Sequence, residues 1–356
     1  MPEEIPRWKQ RFASDREARS WNLTSLMFTV PLLVIGYFYY GGQVLRVAAV
    51  SVLAAAAAEF VAGRVVLRRG TLSDWNAVVI GLWIACMLPA EISLPPAVTD
   101  INPALPVALP LLYAAAGSMF AVLVAKIPFG GTLHAPFSPA AAGFAFLTVC
   151  FRARVFAYTP SASEPPVHGT SLAQMLQQGG AAIEGSQLND ILFGRSVGPM
   201  GTGGIFVIAV ALLGMLVLKK RRSAMLASIG FLFVVTLTAF LFPRIMLVAD
   251  MPFRASVPLR LTSAVMELCS GSLLFAAVYI LPDPAILPTR WFTRLGLGMV
   301  AGGLCMLLRH IGSSEESVCF AVLLADAAMP LLYRAQAEIH HQKEFRQAPQ
   351  AEEGEG

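Results

Sequence analysis

Long apolar runs, separated by short polar or proline-containing segments, follow one another from residue 25 to residue 333. A helix needs about 20 mostly apolar residues to cross the hydrocarbon core of a bilayer, and ten runs come close to that length. The pattern therefore predicts an all-α polytopic membrane protein with about ten transmembrane helices. The predicted spans are residues 25–40, 43–62, 75–90, 104–125, 138–151, 203–218, 223–242, 264–281, 295–310 and 316–333.

The composition supports the same class of protein. Of the 356 residues, 56% are hydrophobic and 13% are charged, and the mean hydropathy is +0.65. Soluble domains carry about a quarter charged residues, because their surface faces water, so this composition excludes an ordinary soluble domain. The net charge of +4 is small and argues against a nucleic-acid partner. The protein is therefore predicted to be embedded in a lipid bilayer.

The distribution of basic residues predicts the orientation in the membrane. With the amino terminus inside, 18 Lys and Arg residues, among them Lys126, fall in cytoplasmic segments. Seven, among them Arg244 and Arg309, fall in outer segments, and Arg46 lies within the second predicted span. This excess on the inner side predicts that both termini are cytoplasmic. The predicted layout is a cytoplasmic tail (1–24), a first transmembrane half (25–151), an extracytoplasmic loop (152–202), a second transmembrane half (203–334) and a disordered cytoplasmic tail (335–356).

The two halves show one matching feature. Asp74 precedes the proline of a Leu-Pro pair, Pro89, by 15 residues, and Glu267 precedes Pro282 in the same way. Because the two spans lie five helices apart, a repeated five-helix unit would be inserted in opposite orientations, which predicts a 5+5 inverted repeat. Chance agreement between proline-punctuated helices is the alternative.

Three acidic residues lie within or beside apolar runs, and we predict them as residues of an ion pathway: Glu59, Glu267 and Asp326. A charge at membrane depth costs several kcal/mol unless it is paired or hydrated, so such residues often line a route for ions. For Glu267, a position at the membrane interface is the alternative. For Glu59 and Asp326, the alternative is a structural hydrogen bond to a neighbouring helix.

The predicted outer loop, residues 152–202, is long for a compact bundle and contains a helix-like stretch at residues 171–178. Long loops in compact proteins often carry function, so this loop is a candidate functional element. A disordered spacer is the alternative.

Four ordered segments carry motifs that occur together in one protein family. LFAAVYILPDPAILP at residues 274–288 resembles the family's LFGAFFMATDPVTSP, and ESVCFAVLLADAAMPLL at residues 316–332 is similar to its EGVSFAILLMNALVPLID. FGGTLHAPFSPA at residues 129–140 and GRSVGPMGT at residues 194–202 are similar to its FGGLGYNPFNPA and GNIPGSIGE. The sequence therefore resembles, from about residue 70 to residue 334, the NqrB/RnfD family, which comprises RnfD of the Rnf electron-transport complex and the related NqrB of the sodium-pumping NADH:quinone reductase.

The resemblance implies a flavin-carrying subunit of an ion-translocating oxidoreductase, a translocase, in the bacterial cytoplasmic (inner) membrane. In the family, a separate flavin transferase joins FMN through a phosphoester to an outer-face threonine in a pattern close to SGATPLA. The matching stretch here is VHGTSLA at residues 167–173, which implies covalent FMN on Thr170, with His168, Gly169 and Ser171 in the cofactor site. A second noncovalent flavin or riboflavin is also expected.

The implied partners are the other Rnf-type subunits (A, B, C, E and G), which handle ferredoxin, NADH and the coupled movement of H⁺ or Na⁺. Some family positions differ here, since Gly169 stands where the family usually has alanine and Thr202 stands where it has glutamate. The alternative function is therefore a non-flavinylated structural or ion- or solute-transport subunit on the same fold. For Thr170, the alternative is an ordinary helix N-cap.

Overall fold

The fold is a bundle of α-helices. In this computed structural model the described residues are 15–67, 74–132, 134–158, 171–178, 191–194, 197–245, 252–283, 286–288, 290–312 and 317–329. Every named element within these ranges is helical, and the only β-type pairing among them is one isolated bridge between Ile92 and Tyr158. The predicted all-α membrane class is confirmed.

Each of the five predicted spans of the first half coincides with a helix. The first helix begins at Asp15, well before the predicted span. Part of the segment predicted as a tail is therefore helical and continuous with the first apolar run. The helices are α1 (Asp15–Tyr40), α2 (Gln43–Ala62), α3 (Asn76–Met87), the short α4 (Pro96–Ile101), α5 (Leu105–Leu123) and α6 (Pro139–Val155).

The connection and the second half are helical as well. The helix-like stretch in the long loop is confirmed as a short helix. The elements are α7 (Leu172–Gln177), α8 (Ile205–Val217), the short α9 (Lys219–Arg222), α10 (Met225–Leu241), α11 (Phe253–Cys269), α12 (Leu273–Ile280), α13 (Trp291–Ile311) and α14 (Ser317–Met329). Each of the five predicted spans of this half coincides with one or two of these helices.

Length and hydropathy identify the helices that can cross a bilayer. Among the described residues, four helical segments are long and apolar enough: Ala18–Tyr40, Gln43–Val66, Leu105–Phe129 and Trp291–Ile311. The pair α11 and α12 becomes a fifth if it is counted as one broken span. Helices α3, α8, α10 and α14 are apolar but shorter, as is common in bundles that contain half-helices.

The predicted span 264–281 is not one continuous helix. Helices α11 and α12 meet at an angle of 66°, at the segment Ser270-Gly271-Ser272. Gly271 has a φ of 59°, a left-handed conformation that glycine adopts without steric cost. A break of this kind frees backbone carbonyl groups, which need new hydrogen-bond donors inside the membrane protein.

The second span makes the same two main helix contacts in each half. The second span of each half, α2 or α10, packs mainly against the fourth span, α5 or α13, and next against the third span, α3 or α11. This shared order is what a repeated five-helix unit requires. The opposite orientation of the two units in the membrane stays a prediction.

Close helix packing depends on a glycine in the second half. A Cβ atom at Gly298 of α13 would lie 1.9 Å from the Ala227 carbonyl oxygen of α10, whereas a Cβ at Gly303, also in α13, would meet nothing within 4 Å. Backbones can approach this closely in membrane bundles only where small residues face each other.

We expect Gly298→Ala to separate α13 from α10 and to lower the thermal unfolding midpoint of the purified protein. Overpacking of this kind costs about 1–3 kcal/mol or more. Gly303→Ala is the matched control and should leave the midpoint unchanged or slightly raised, because alanine favours a helix over glycine. Equal midpoints for the two variants would contradict the close contact.

Candidate functional site

The predicted flavin site lies partly within the described residues. Thr170, His168 and Gly169 lie outside them, whereas Ser171 lies within them and is buried. The Ser171 hydroxyl accepts a hydrogen bond from the Gln174 backbone N–H at 3.3 Å, and the Ser171 N–H donates to Gln174 Oε1 at 3.2 Å. This capping box makes Ser171 the N-cap of α7.

Helix α7 is held in place by contacts with four other parts of the protein. The Gln174 side-chain amide donates to the Phe156 carbonyl at the end of α6 at 3.2 Å. The Gln177 amide donates to the Gly312 carbonyl after α13 at 2.6 Å. Leu172 and Leu176 belong to a buried apolar cluster that includes residues of α11 and the segment after α10. The chain immediately after Thr170 is therefore fixed.

Glu267 lies between two arginines near the end of α11. Its Oε1 accepts from Arg244 Nε at 2.5 Å, and its Oε2 accepts from Arg309 Nη1 at 2.6 Å. The side chains of Arg244, Glu267 and Arg309 are only 8%, 1% and 0% exposed. We call these three residues the Arg–Glu–Arg cluster. Buried charges need such partners, because an unpaired charge in a low-dielectric interior is very costly.

Arg309 also supplies donors to the break between α11 and α12. Its Nη1 donates to Ser270 Oγ at 2.5 Å and its Nη2 to the Ser270 carbonyl at 3.2 Å. Its Nε donates to Ser317 Oγ at the start of α14 at 3.1 Å. One guanidinium therefore ties the end of α13 to the broken span and to α14.

Glu59 forms a second buried ion pair. Its Oε1 lies 2.7 Å from Lys126 Nζ, and both side chains are fully buried. Lys126 lies just beyond the end of α5, so the pair joins the last turns of α2 to the connection that follows α5. The sequence predicts a cytoplasmic connection at Lys126 and gives no sign of its pairing with Glu59.

The Asp326 carboxylate contacts a neighbouring helix. Its Oδ2 accepts a hydrogen bond from the Ser138 backbone N–H at 3.0 Å, and Ser138 is the N-cap of α6. This bond is the structural interaction that the sequence left as an alternative. Each of the three acids thus has different partners, and these described residues do not form one cluster. The acids are Glu59, Glu267 and Asp326. Their role in an ion pathway stays a prediction.

We expect Lys126→Met to destabilise the protein, because Glu59 would lose its buried counter-ion. Breaking one side of a buried pair typically costs about 3–5 kcal/mol. The measurement is the thermal unfolding midpoint in detergent, beside Lys220→Met, which removes an exposed charge of the same type. A Lys126→Met midpoint equal to that of the control would show that the pair does not stabilise the fold.

The arginines of the Arg–Glu–Arg cluster were missed as site residues. The sequence placed Arg244 and Arg309 among the outer-face bases, which inform orientation only. Arg309 and Glu267 are 42 positions apart, so no local pattern pairs them. The only available signal was a basic residue at the end of the long apolar run in α13.

Comparison with known proteins gives a family match along most of the chain. The model of the NQR2, RnfD, RnfE family matches residues 11–340. A Klebsiella pneumoniae (strain 342) protein, named as the D subunit of an ion-translocating oxidoreductase complex, is 28% identical over 350 residues, which cover 90% of this chain and 93% of the relative. A Cronobacter sakazakii protein of the same name is 26% identical over 333 residues, covering 85% of this chain and 89% of the relative.

Proposed function

Because this chain belongs to the NQR2, RnfD, RnfE family, we propose that it is a flavin-carrying membrane subunit of an Rnf-type ion-translocating oxidoreductase complex. Relatives named as the D subunit of an ion-translocating oxidoreductase complex match it over nearly their whole length, which supports this placement. It passes electrons between partner subunits linked to ferredoxin and NADH, and it takes part in coupling this transfer to the movement of H⁺ or Na⁺.

The observation that carries the flavin assignment is the position of the N-cap of α7. If Thr170 capped this helix, its hydroxyl would have a structural role. Instead, Ser171 is the N-cap, and Gln174 completes the capping box. The Thr170 hydroxyl is therefore not required for the cap, and a hydroxyl next to a fixed helix suits the acceptor of a phosphoester.

The residues of the chain that would hold the flavin are Thr170, as the covalent acceptor, and its neighbours His168, Gly169 and Ser171. When bound, FMN supplies the electron transfer, which protein side chains alone do not provide. Helix α7, which begins two positions after Thr170, is itself fixed through Gln174 on Phe156 and Gln177 on Gly312. An acceptor so close in sequence to a fixed helix would restrict the positions that a tethered ring can reach and so favour transfer to one partner.

We propose that the buried acidic residues of the bundle take part in ion movement. Glu59, Glu267 and Asp326 are buried, and the basic partners of Glu59 and Glu267 are buried with them. An ion could replace such a partner only if the pair opened, so we propose these residues as sites that couple ion passage to a change in helix contacts.

We propose as partners the other Rnf-type subunits (A, B, C, E and G) and a flavin transferase that acts on the outer loop. The proposed location is the bacterial cytoplasmic membrane, with both termini inside. The number of apolar helices supports the multi-pass placement.

The test is in-gel ultraviolet fluorescence of the denatured polypeptide, after expression with and without a matched flavin transferase. We expect a fluorescent band only when the transferase is present, because a phosphoester survives denaturation and a noncovalent flavin does not. A dark band, beside a fluorescent control relative from the same cells, would overturn the covalent assignment and favour the non-flavinylated alternative.

A further inference from the structure

A short helix at one end of the bundle carries four consecutive basic residues. Helix α9 has the sequence KKRR, and only Arg221 among its residues is buried. The Arg221 guanidinium carbon lies 3.4 Å from the centroid of the Trp21 ring, and Arg221 Nη1 donates to Ser25 Oγ at 3.2 Å. Both partners belong to α1, so Arg221 attaches α9 to that helix. The other three bases of α9 are exposed: Lys219, Lys220 and Arg222.

The amino-terminal end of α13 lies beside α9. Arg294 Nη1 donates to the hydroxyl of Ser223, the residue that directly follows α9. Arg290 directly precedes α13 and is exposed, and the next two residues, Trp291 and Phe292, are 63% and 46% exposed. Basic residues from two elements therefore lie at the same end of the bundle, with exposed aromatic rings beside them. We call these bases the basic patch: Lys219, Lys220, Arg222, Arg290 and Arg294.

The basic patch has no acidic residue beside it in the sequence. Residues 191–249 and 284–314 contain neither aspartate nor glutamate. Within the part of the chain that the structure describes, the side chains of Lys219, Lys220 and Arg222 form no hydrogen bond or ion pair. Like charges at such close range repel one another, so a negatively charged partner from outside the chain would be favoured there.

The basic patch lies where a lipid-facing surface ends. Exposed apolar residues recur every three or four positions in α8, the helix before α9, and so form one stripe along it. The stripe contains Phe206, Val210, Leu213 and Val217, and Lys219 follows it by two residues. Tryptophan and basic residues at the end of an apolar helix are typical of the membrane interface. The headgroups of the lipids that cover the stripe therefore lie next to the patch.

We propose that the basic patch binds the headgroup of an anionic phospholipid whose acyl chains lie against the apolar stripe of α8. The phosphate of such a lipid accepts hydrogen bonds from guanidinium and ammonium groups, and the rest of the headgroup does not balance its negative charge. A cluster of about four or more bases directly beside a membrane helix is typical of this recognition, and each base strengthens binding about five-fold. A signal for orientation alone would need the bases of α9, but not their proximity to Arg290, Arg294 and Trp291.

The experiment measures which lipid lies beside Trp291. The full-length protein is placed in phosphatidylcholine nanodiscs that contain increasing fractions of brominated phosphatidylglycerol, which is anionic, or of brominated phosphatidylcholine, which has no net charge. Bromine quenches tryptophan fluorescence at short range, and the contribution of Trp291 is the difference between the wild type and Trp291→Phe. We expect the binding constant of phosphatidylglycerol at this site to be about ten-fold higher than that of phosphatidylcholine.

Removing the exposed bases of α9 should abolish this preference. The α9 variant combines Lys219→Gln, Lys220→Gln and Arg222→Gln. We expect it to bind the two lipids about equally, because the aromatic rings and the apolar stripe that remain do not distinguish the headgroups. A matched control should retain the preference, since it removes the same number of exposed bases outside the patch. The control variant combines Arg152→Gln, Arg154→Gln and Arg254→Gln.

Salt provides a test that needs no substitution. Raising the NaCl concentration from about 0.1 M to about 1 M shortens the Debye length from about 10 Å to about 3 Å, so the wild-type preference should fall several-fold. A preference that persists at high salt, or that the control variant loses as fully as the α9 variant, would overturn the assignment to the patch. Equal quenching by the two lipids in the wild type would also overturn it. The bases would then serve only to orient the protein, or they would contact an acidic surface of another protein.

Discussion

Replacing Arg309 with methionine should prevent the bundle from accumulating in folded form. Methionine has a similar length and suits an apolar interior, but it donates no hydrogen bond. The change removes one of the two cations that contact Glu267 and all the Arg309 donors that reach Ser270 and Ser317. Removing one partner of a buried ion pair costs about 3–5 kcal/mol, so we expect at least a ten-fold loss of monodisperse protein after extraction.

Two companion variants separate this effect from a general loss of charge. Arg254→Met removes an exposed arginine of α11 and should leave the yield unchanged. Arg309→Lys keeps the cation but lacks the fork that reaches three partners, so it should give an intermediate yield. A normal chromatography profile for Arg309→Met would contradict the role assigned to Arg309, which is to stabilise the break between α11 and α12.

The helices were predictable because lipid imposes a simple rule on sequence. A segment such as Leu105–Leu123 contains no charged residue, and in a bilayer only a helix satisfies its backbone. The break at Ser270-Gly271-Ser272 was not predictable in the same way. Serine and glycine are common where continuous transmembrane helices pack together, so their presence does not indicate a break. The break is stable because Arg309, distant in the sequence, supplies the donors.

The acidic residues of the candidate site were predictable, and their partners were not. Glu59 and Glu267 were identified because a charge within an apolar run requires an explanation. Which base pairs with each acid depends on how the helices pack. Lys126 is 67 positions from Glu59, and single-sequence patterns do not contain contacts over that separation.

The two ion pairs occupy corresponding places in the two halves. Lys126 follows the fourth span of the first half, α5, and Arg309 lies in the last turn of the fourth span of the second half, α13. Each base pairs with a buried acid of another helix. If the halves are inverted in the membrane, as the sequence predicts, the two pairs lie near opposite faces. Each pair would then hold together one face of the bundle.

The substitution Thr170→Val should abolish covalent flavin. Valine has nearly the shape of threonine but lacks the hydroxyl that the phosphoester requires, so the denatured band should lose its fluorescence completely. The folded yield should stay close to that of the wild type, because Ser171 caps α7. The measurement is in-gel fluorescence normalised to the amount of protein, in cells that also produce the flavin transferase.

Two neighbouring variants show whether the loss is specific to the acceptor. Ser171→Ala removes the cap of α7, at a cost of about 1 kcal/mol, but retains the Thr170 hydroxyl, so its band should stay fluorescent. Thr170→Ser keeps a hydroxyl at the acceptor and should retain fluorescence as well. A fluorescent Thr170→Val band would place the flavin on another residue. A dark Ser171→Ala band would mean that the order of α7, and not only the acceptor hydroxyl, decides whether the transferase acts.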